Sequence, residues 1–412
     1  MSGKKNVAFL STYPPRECGL ATFTEDLVNG VSISGLVRPC IIAVTADMEE
    51  YDDSRVQYRL HQHERTSYLW TARWANNNAD LLVVEHEYGI FGGESGEYIL
   101  DLVKNLEIPF VVTTHTVLEA PSPKQQVVLR ELGHLSVKVV TMAESSVPLL
   151  SETYGIAPEK IVVIPHGVPS IPVGTRKNLK ASYGFLDKQI ISSFGLLSPD
   201  KGIEYGIEAV AKVAADFANL IYLVLGKTHP TVKQNSGESY RQSLMDLAEK
   251  LGVRDNVRFV DKYLTKEEVI TYLQMSDIYM TPYLSKEQAV SGTLAYAVGC
   301  GRVVVSTPYR YAQEMLGEGR GMLAEFRNSN SLASCLGHIL RNPLEKRAME
   351  QKTLAVGRLM TWDKVGNSYT QLFLNIMGNF QVDVGEAVSI QQSPCSFDRN
   401  TEEFLLDTAV QG

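Results

Sequence analysis

The stretch that decides the fold is Ser276–Pro308, SDIYMTPYLSKEQAVSGTLAYAVGCGRVVVSTP. Its pattern predicts the end of a strand, a loop that carries Glu287, a helix of small residues that begins at Ser291-Gly292, and a further strand. In a parallel α/β sheet this order places Glu287 and the helix N-terminus beyond the carboxyl end of the strand. Such folds bind their ligands in the crevice at that edge.

The residue types in this loop indicate the chemistry of the ligand. A helix N-terminus presents unpaired backbone N–H groups and a partial positive charge, which favour phosphate. The carboxylate of Glu287 would repel phosphate and is better suited to accept hydrogen bonds from hydroxyl groups, such as those of a sugar. Phosphate together with a polyol predicts a sugar nucleotide as the ligand.

Length and composition indicate a soluble protein of two domains. At 412 residues the chain is longer than most domains that fold around a single hydrophobic core. Its 44% hydrophobic and 21% charged residues are ordinary for a globular protein. A net charge of −8 argues against nucleic acid as the main partner, because nucleic acid requires a basic face. Contact of a local basic patch with a membrane surface stays open.

The first residues and the cysteines favour a cytoplasmic location. The opening MSGKKNVAFLSTYPP contains only a short apolar run, which reads as a strand rather than a signal peptide. No stretch approaches the roughly 18 apolar residues of a membrane-spanning helix. The five cysteines are scattered and form no Cys-x-x-Cys pair, a pattern that predicts neither a disulfide framework nor a zinc site.

Short apolar runs alternate with helix-length segments over most of the chain. Runs this short and continuous are typical of strands that are buried on both faces of a parallel sheet. The first set of predicted strands is Val7–Leu10, Cys40–Val44, Leu81–Glu85, Phe110–Thr113, Lys138–Thr141 and Ile161–Ile164. The second set is Ile190–Phe194, Leu220–Leu225, Val257–Val260, Ile278–Thr281, Arg302–Ser306 and Met322–Phe326. Two sets of about six strands predict two doubly wound α/β domains.

Proline and glycine cluster in HGVPSIPVGT, residues 166–175, and mark the boundary between the two domains. We expect a first Rossmann-like domain over residues 1–169, completed by a C-terminal helix at about residues 360–378. A second Rossmann-like domain is expected over residues 170–359. The net acidic segment 379–412 shows no periodicity and is expected to be a flexible tail.

A second strand–loop–helix junction follows in FGLLSPDKGIEYGIE, residues 194–208. The strand ends at Gly195, and Lys201-Gly202 begins an amphipathic helix. A lysine at this position can contact a diphosphate while the helix N-terminus adds its dipole. Taken alone, the segment fits a solvated loop lysine better, but the matching junction at Ser291-Gly292 favours the phosphate interpretation.

Loops of the first domain supply further candidates. Gly19, in STYPPRECGLATFTED, would let the backbone approach a phosphate or sugar closely, and Arg16 lies just before it. His115 follows a predicted strand and can hydrogen-bond a sugar hydroxyl. Glu87 and Tyr88 follow another strand on the same rim. Each has an ordinary alternative: a turn glycine, a polar loop residue or a structural histidine.

Together these residues resemble the family-four retaining glycosyltransferases, whose GT-B fold consists of two Rossmann-like domains facing across a cleft. The resemblance extends over roughly residues 5–377, and the helix after Trp362 resembles the family's closing helix. The matching motifs are the PP-x-x-x-G loop from Pro14 to Gly19, the strand-end His115, IPHGV at residues 164–168, Lys201-Gly202, and the Glu287 loop before a small-residue helix.

The resemblance implies that the second domain binds a nucleoside-diphosphate sugar and that the first binds most of the acceptor. It implies catalytic roles for Glu287, His115 and Lys201. Donor contacts are expected from Gly19, Gly195, Lys201, Glu287, Ala289, Val290, Ser291, Gly292 and Thr293. On the acceptor side we expect Arg16, Glu87 and Tyr88. No metal or other cofactor is implied, because lysine, backbone amides and helix dipoles would meet the phosphate charge.

Two positions depart from the family pattern. The family usually carries a second glutamate, which binds ribose hydroxyls, eight positions after the first, and here that residue is Ala295. It also usually carries an arginine after the glycine of its Gly-Arg-Leu run, where this chain has Leu196. Arg254, Arg258 and Lys262 are candidates for the cation that would replace this arginine. Each of them is also typical of an ordinary charged residue on the surface.

The expected function is metal-independent transfer of a hexose from a nucleoside-diphosphate sugar to a hydroxyl of a sugar or glycoconjugate acceptor, with retention at the anomeric carbon. An epimerase or phosphorylase on the same fold is one alternative. A sugar-nucleotide-binding protein without turnover is another, and the departures at Leu196 and Ala295 motivate it.

Overall fold

The structure, a computed structural model, describes residues 4–46, 49–170 and 175–378. Its strands form two parallel sheets. The first sheet has seven strands, which are Lys5–Ser11 (β1), Val37–Thr45 (β2), Val56–His61 (β3), Leu81–His86 (β4), Phe110–Thr114 (β5), Lys138–Thr141 (β6) and Ile161–Val163 (β7). The second has six, which are Gln189–Phe194 (β8), Leu220–Leu225 (β9), Val257–Val260 (β10), Ile278–Thr281 (β11), Val303–Ser306 (β12) and Gly321–Leu323 (β13).

The strand order makes both sheets doubly wound. The first sheet runs β3-β2-β1-β4-β5-β6-β7 and the second runs β10-β9-β8-β11-β12-β13. The order reverses between β1 and β4 and between β8 and β11, so each sheet has a switch point with a crevice at its carboxyl edge. The predicted fold class of two Rossmann-like parallel-sheet domains is confirmed.

Helices cover both sheets. Those within the first sheet's segment are Gly19–Ile33 (α1), Arg65–Asn78 (α2), Ile99–Val103 (α3), Pro123–Leu135 (α4) and Val147–Glu152 (α5). Those of the second segment are Arg176–Ser182 (α6), Ile203–Ala214 (α7), Pro230–Ser236 (α8), Ser239–Lys250 (α9), Lys266–Met275 (α10), Gly292–Gly299 (α11), Arg310–Leu316 (α12), Ser329–Arg341 (α13) and Pro343–Gly357 (α14). The last described helix is Trp362–Ile376 (α15). No helix among the described residues is long and apolar enough to cross a membrane.

The sequence pattern missed strand β3. Its residues VQYRLH alternate between exposed and half-buried side chains, and only Leu60 is fully buried. A strand at the edge of a sheet can keep one side in water, so it lacks the continuous apolar run that identified the other strands. The first sheet therefore has one strand more than predicted. The tail predicted at residues 379–412 lies outside the described residues.

The chain returns to the first sheet after the second one. α15 packs on α1, where Gly30 and Gly366 let the two backbones touch: a Cβ on Gly366 would lie 2.2 Å from the carbonyl carbon of Gly30. The two segments that link the sheets also pair, because Val168 N donates to Met360 O at 2.8 Å and Trp362 N donates to Val168 O at 3.0 Å. This crossing point joins the two halves of the molecule.

Polar contacts hold the two sheets' helices and loops against each other. Glu314 of α12 accepts hydrogen bonds from Glu144 N and Ser145 N, each at 3.0 Å. Arg310 forms an ion pair with Glu119 at 2.8 Å. These contacts bring the carboxyl edges of the two sheets to face each other across one cleft.

Candidate functional site

A cavity of about 860 Å³ lies in this cleft and is lined by residues of both halves. The loops after β1, β8, β9 and β10 and the start of α11 form its walls. Eight of the site residues predicted from the sequence line it, namely Arg16, Gly19, Gly195, Lys201, Val290, Ser291, Gly292 and Thr293. The structure thus brings two distant loop motifs of the second sheet together with one from the first.

Close packing at the strand ends positions Lys201. Gly202, with φ of 61°, precedes α7, and a Cβ there would lie only 2.2 Å from Pro282 O. Only glycine fits both the left-handed backbone and this contact. The loop that carries Lys201 therefore lies directly against the chain leaving β11.

Lys201 is a fixed cation at the cavity wall. Its Nζ lies 3.3 Å from Asp200 Oδ2 and 4.3 Å from the ring centre of Tyr283. Burial acts to lower the pKa of Lys201, but the interactions with Tyr283 and Asp200 outweigh it, and the pKa lies above its usual value. The Tyr283 hydroxyl is 3.0 Å from Thr293 Oγ1, which links this cation to the start of α11.

The start of α11 faces the same cavity. Ser291 caps the helix, and its Oγ accepts a hydrogen bond from Leu294 N at 3.3 Å. The other N–H groups of a first helical turn have no partner within the helix. With the partial positive charge of the helix terminus and Lys201 nearby, this wall can hold an anion such as phosphate.

His166 also lines the cavity, although its sequence context placed it only at the boundary between the two predicted domains. Its Nδ1 donates to Gly167 O at 2.7 Å, so Nε2 is the acceptor nitrogen. A Cβ placed on Gly292 would lie 3.0 Å from that nitrogen, which puts the imidazole beside the first turn of α11. Burial lowers the pKa of His166 to about 4, so the ring is neutral at pH 7.

The first-domain wall is formed by the loop after β1. Gly19 begins α1, and the Cys18 thiol caps the helix by accepting from Ala21 N at 3.4 Å. Arg16 Nη1 lies 3.5 Å from Gln62 Oε1. Glu17 forms an ion pair with Lys227, which lies across the cavity in the second half.

His115 lies behind this wall rather than on it. Its Nε2 is 2.8 Å from Glu85 Oε2, and Glu85 is fully buried. The ring of Phe23, which lines the cavity, packs edge-on against the His115 ring with the centroids 4.7 Å apart. His115 is therefore oriented by a buried carboxylate and packs against an aromatic ring of the cavity wall.

Glu287 and Ala289 lie on the loop between β11 and α11 but are not among the residues that line the cavity. Ala289 is buried and packs with the hydrophobic core of the first sheet, so this loop reaches across the cleft. Gln288, next to Glu287, does line the cavity. Glu287 itself lies outside the lining, next to a residue that belongs to it.

Glu87 and Tyr88 do not line the cavity either. Tyr88 is buried in the core of the first sheet, and its hydroxyl donates to Gln125 O at 3.3 Å. Glu87 accepts hydrogen bonds from Tyr88 N and from the Thr116 hydroxyl. Both side chains therefore fix the segment after β4. Their position after a strand did not identify this role, because a residue there can turn toward the core as readily as toward the rim.

The two departures from the family pattern differ in their surroundings. Leu196 lines the cavity, whereas Ala295 is fully buried among apolar side chains of the second half. Of the three cations considered as compensation, only Lys262 reaches the cavity. Arg254 is largely exposed and Arg258 lies over the ring of Phe185, 5.2 Å from its centre.

Sequence reasoning missed Lys227, Tyr283 and His166 as members of the cavity wall. Lys227 and Tyr283 each lie two residues beyond the end of a β-strand, which is a signal that could have identified them. Among the described residues, no group of three or more His, Cys, Asp or Glu side chains is placed to hold a metal ion.

Comparison with known proteins agrees with this architecture. Residues 175–354 match the family model described as "Glycosyl transferases group 1". A curated relative from Kineococcus radiotolerans, named D-inositol 3-phosphate glycosyltransferase, is 23% identical over 330 residues, which cover 73% of this chain and 73% of the relative.

Solved structures show the same fold. The Anabaena protein HepE, in complex with UDP, has a TM-score of 0.72 at 16% identity and covers 90% of this chain and 100% of its own. A sucrose-phosphate synthase from Thermosynechococcus elongatus has a TM-score of 0.74 at 17% identity, covering 91% of this chain and 100% of its own. Residues 175–354 therefore match a group 1 glycosyltransferase region, and the chain as a whole has the GT-B fold.

Proposed function

We propose that this glycosyltransferase moves a hexose from a nucleoside-diphosphate sugar to a hydroxyl of a sugar or glycoconjugate, with retention and without a metal ion. The observation that carries the proposal is the shared cavity, where Lys201 and the N-terminus of α11 face Gly19 and Arg16 of the other half. One wall suits phosphate, and the opposite wall is free to receive an acceptor.

In this proposal the second half binds the donor. Lys201 and the backbone amides of Ser291, Gly292 and Thr293 would neutralise the diphosphate, with Gly195 and Gly19 allowing close backbone approach. These groups need no metal ion to balance the leaving group, because their charge and dipoles are already oriented. Glu287, next to the cavity-lining Gln288, would accept hydrogen bonds from hydroxyls of the donor hexose, beside the backbone of Ala289 and Val290.

The first half would bind the acceptor and complete the reacting centre. Arg16 is the acceptor-side candidate that lines the cavity. We assign Glu87 and Tyr88 a supporting role in fixing the segment after β4, since their polar groups already have partners. His115, oriented by Glu85 and packed against Phe23, would lie near the reacting side of the sugar.

The reaction would take place on one face of the sugar. The bond between the anomeric carbon and the phosphate oxygen breaks, and the acceptor oxygen bonds to the same face while the departing phosphate takes its proton. Lys201 and the α11 amides would stabilise the negative charge that develops on the phosphate, an effect largest in the transition state. Closure around both substrates would exclude water that otherwise hydrolyses the donor.

The test is a screen of UDP-, GDP- and ADP-sugars with EDTA present. Thermal stabilisation by one donor, and release of its nucleoside diphosphate only when an acceptor is added, is the expected result. Inositol 3-phosphate belongs among the acceptors because the Kineococcus relative is named for it. Phosphate-dependent turnover would indicate a phosphorylase, and stabilisation without release would indicate a binding protein without turnover.

A further inference from the structure

Leu196 and Lys227 are neighbours on adjacent chains of the second sheet. β8 and β9 keep their register beyond the strand ends, where Leu197 pairs with Thr228. Leu196 and Lys227, each one residue earlier, are therefore register partners. Such partners lie about 4.8 Å apart and their side chains leave the sheet on the same side. Both residues line the cavity.

We propose that Lys227 is a second diphosphate-binding cation, which takes the role of the arginine that related enzymes carry at the position of Leu196. The inference rests on the proposed function and names a specificity-determining residue for it. Because Lys227 follows the adjacent strand at the same register as Leu196, its positive charge would lie in the same part of the cavity. The positive charge that is missing at Leu196 would then be supplied from the neighbouring strand.

The backbone fixes Lys227 at this place. Leu197 N donates to Lys227 O at 2.9 Å, and His229 N donates back to Leu197 O at 2.9 Å. Before it, Gly226 has a φ of 135°, and a Cβ there would lie 2.0 Å from Gly195 O, so the two strand ends are in direct contact. The Nζ of Lys227 lies 5.6 Å from the ring centre of Tyr263.

The present partner of Lys227 is a carboxylate that a phosphate can replace. Glu17 comes from the opposite half, and the Lys227 and Glu17 side chains are 32% and 46% exposed. An ion pair this accessible contributes little to stability. A diphosphate carries more charge than one carboxylate and is also bound by Lys201, so donor binding would displace Glu17. After transfer, departure of the nucleoside diphosphate would let Glu17 return to Lys227.

The other lysines of the cavity wall are engaged differently. Lys266 is paired with the buried Asp26, and Lys262 is paired with Glu268 of its own half. Neither lies beside Leu196 in the sheet register. Lys227 and Lys266 both pair with a carboxylate of the opposite half, but only the partner of Lys227, Glu17, is an exposed loop residue.

The experiment compares nucleotides that differ only in their phosphates. Wild type is titrated with UDP, GDP and ADP, and the tightest of them is then compared with its monophosphate. Lys227→Met should weaken binding of the diphosphate about tenfold, as expected for loss of a charged hydrogen bond. Binding of the monophosphate should change less than about threefold. The control Lys233→Met removes a charge from the surface of α8 and should change neither affinity.

A double-mutant cycle distinguishes the effect of the Lys227–Glu17 ion pair on binding from the effect of a change in net charge. Glu17→Gln should tighten diphosphate binding in the wild type but not in Lys227→Met, because the two changes act through one ion pair. Thermal unfolding verifies that each variant folds. Diphosphate affinity of Lys227→Met within twofold of wild type would overturn this inference and leave the proposed function standing. A wild type that binds no nucleotide would overturn both.

Discussion

The Tyr296 hydroxyl of the second half donates a hydrogen bond to Asp26 Oδ2 of the first half, at 2.8 Å. Asp26 is almost fully buried, and its other oxygen pairs with Lys266. A buried carboxylate is costly unless its partners are in place, so this cluster holds the two walls of the cleft together. It ties α1, which carries the Gly19 wall, to α10 and α11 on the opposite wall.

Tyr296→Phe should shift the protein toward an open form. The substitution keeps the ring and removes one hydrogen bond, worth about 1 kcal/mol, which corresponds to roughly a fivefold change in the ratio of closed to open molecules. Small-angle scattering would show a larger radius of gyration. Tyr240→Phe, whose hydroxyl bonds Glu204 within the second half, is the matched control. An unchanged radius for Tyr296→Phe would exclude the cluster as a determinant of closure.

Lys201→Met should weaken donor binding about tenfold, because it removes the cation beside the α11 terminus while keeping the aliphatic stem. Isothermal titration with the sugar nucleotide measures this. The Lys233→Met variant again serves as the control for charge. Equal affinities for Lys201→Met and wild type would show that the diphosphate does not lie on this wall.

Glu287→Gln should lower turnover on the order of a hundredfold while the unfolding temperature stays close to that of wild type. The loop carboxylate supports no core packing, so its loss should act on the reaction rather than on the fold. Steady-state rates of nucleotide release provide the measurement. Glu249→Gln, a change on the exposed face of α9, controls for the loss of one negative charge. Retention of the wild-type rate would remove Glu287 from the mechanism.

Stability should fall as the pH is lowered from 7 to 5, in part because of His166. Burial lowers its pKa to about 4 in the folded protein, against about 6.5 when unfolded, so between these values the unfolded chain binds a proton that the native one does not. Its share of the loss is about 2 kcal/mol over that interval. His86, with a pKa lowered to about 3 by burial, acts in the same direction.

Urea unfolding of wild type and His166→Asn at pH 7 and pH 5 checks the sign and the size. The variant should lose less stability than wild type between the two pH values. Identical losses would mean that His166 is as accessible to protons in the folded protein as in the unfolded one.

The fold could be predicted because parallel strands buried on both faces carry an unmistakable apolar pattern. The strands β8, β9, β11 and β12 show it, whereas the edge strand β3 alternates and escaped detection. The donor wall was predictable for a related reason: the carboxyl ends of parallel strands meet at one edge, so Lys201 and Ser291 had to lie near each other.

Contacts between neighbouring strands and contacts across the cleft could not be predicted from the sequence. The pairing of Leu196 with Lys227 depends on sheet register, and the contact of Asp26 with Tyr296 depends on how the two halves face each other. Tyr88 illustrates the converse case. A residue placed near the rim by its position after β4 turned inward, because its ring packs with the core of the first sheet.

The most direct test of the proposed transfer is the anomeric configuration of the product. The enzyme is incubated with the sugar nucleotide that stabilises it, an acceptor and EDTA, and the new glycosidic linkage is followed by proton NMR from the first turnovers. We predict acceptor-dependent release of the nucleoside diphosphate and a product with the same anomeric configuration as the donor. An inverted product, or turnover that stops when EDTA is added, would contradict the proposed metal-independent retaining transfer.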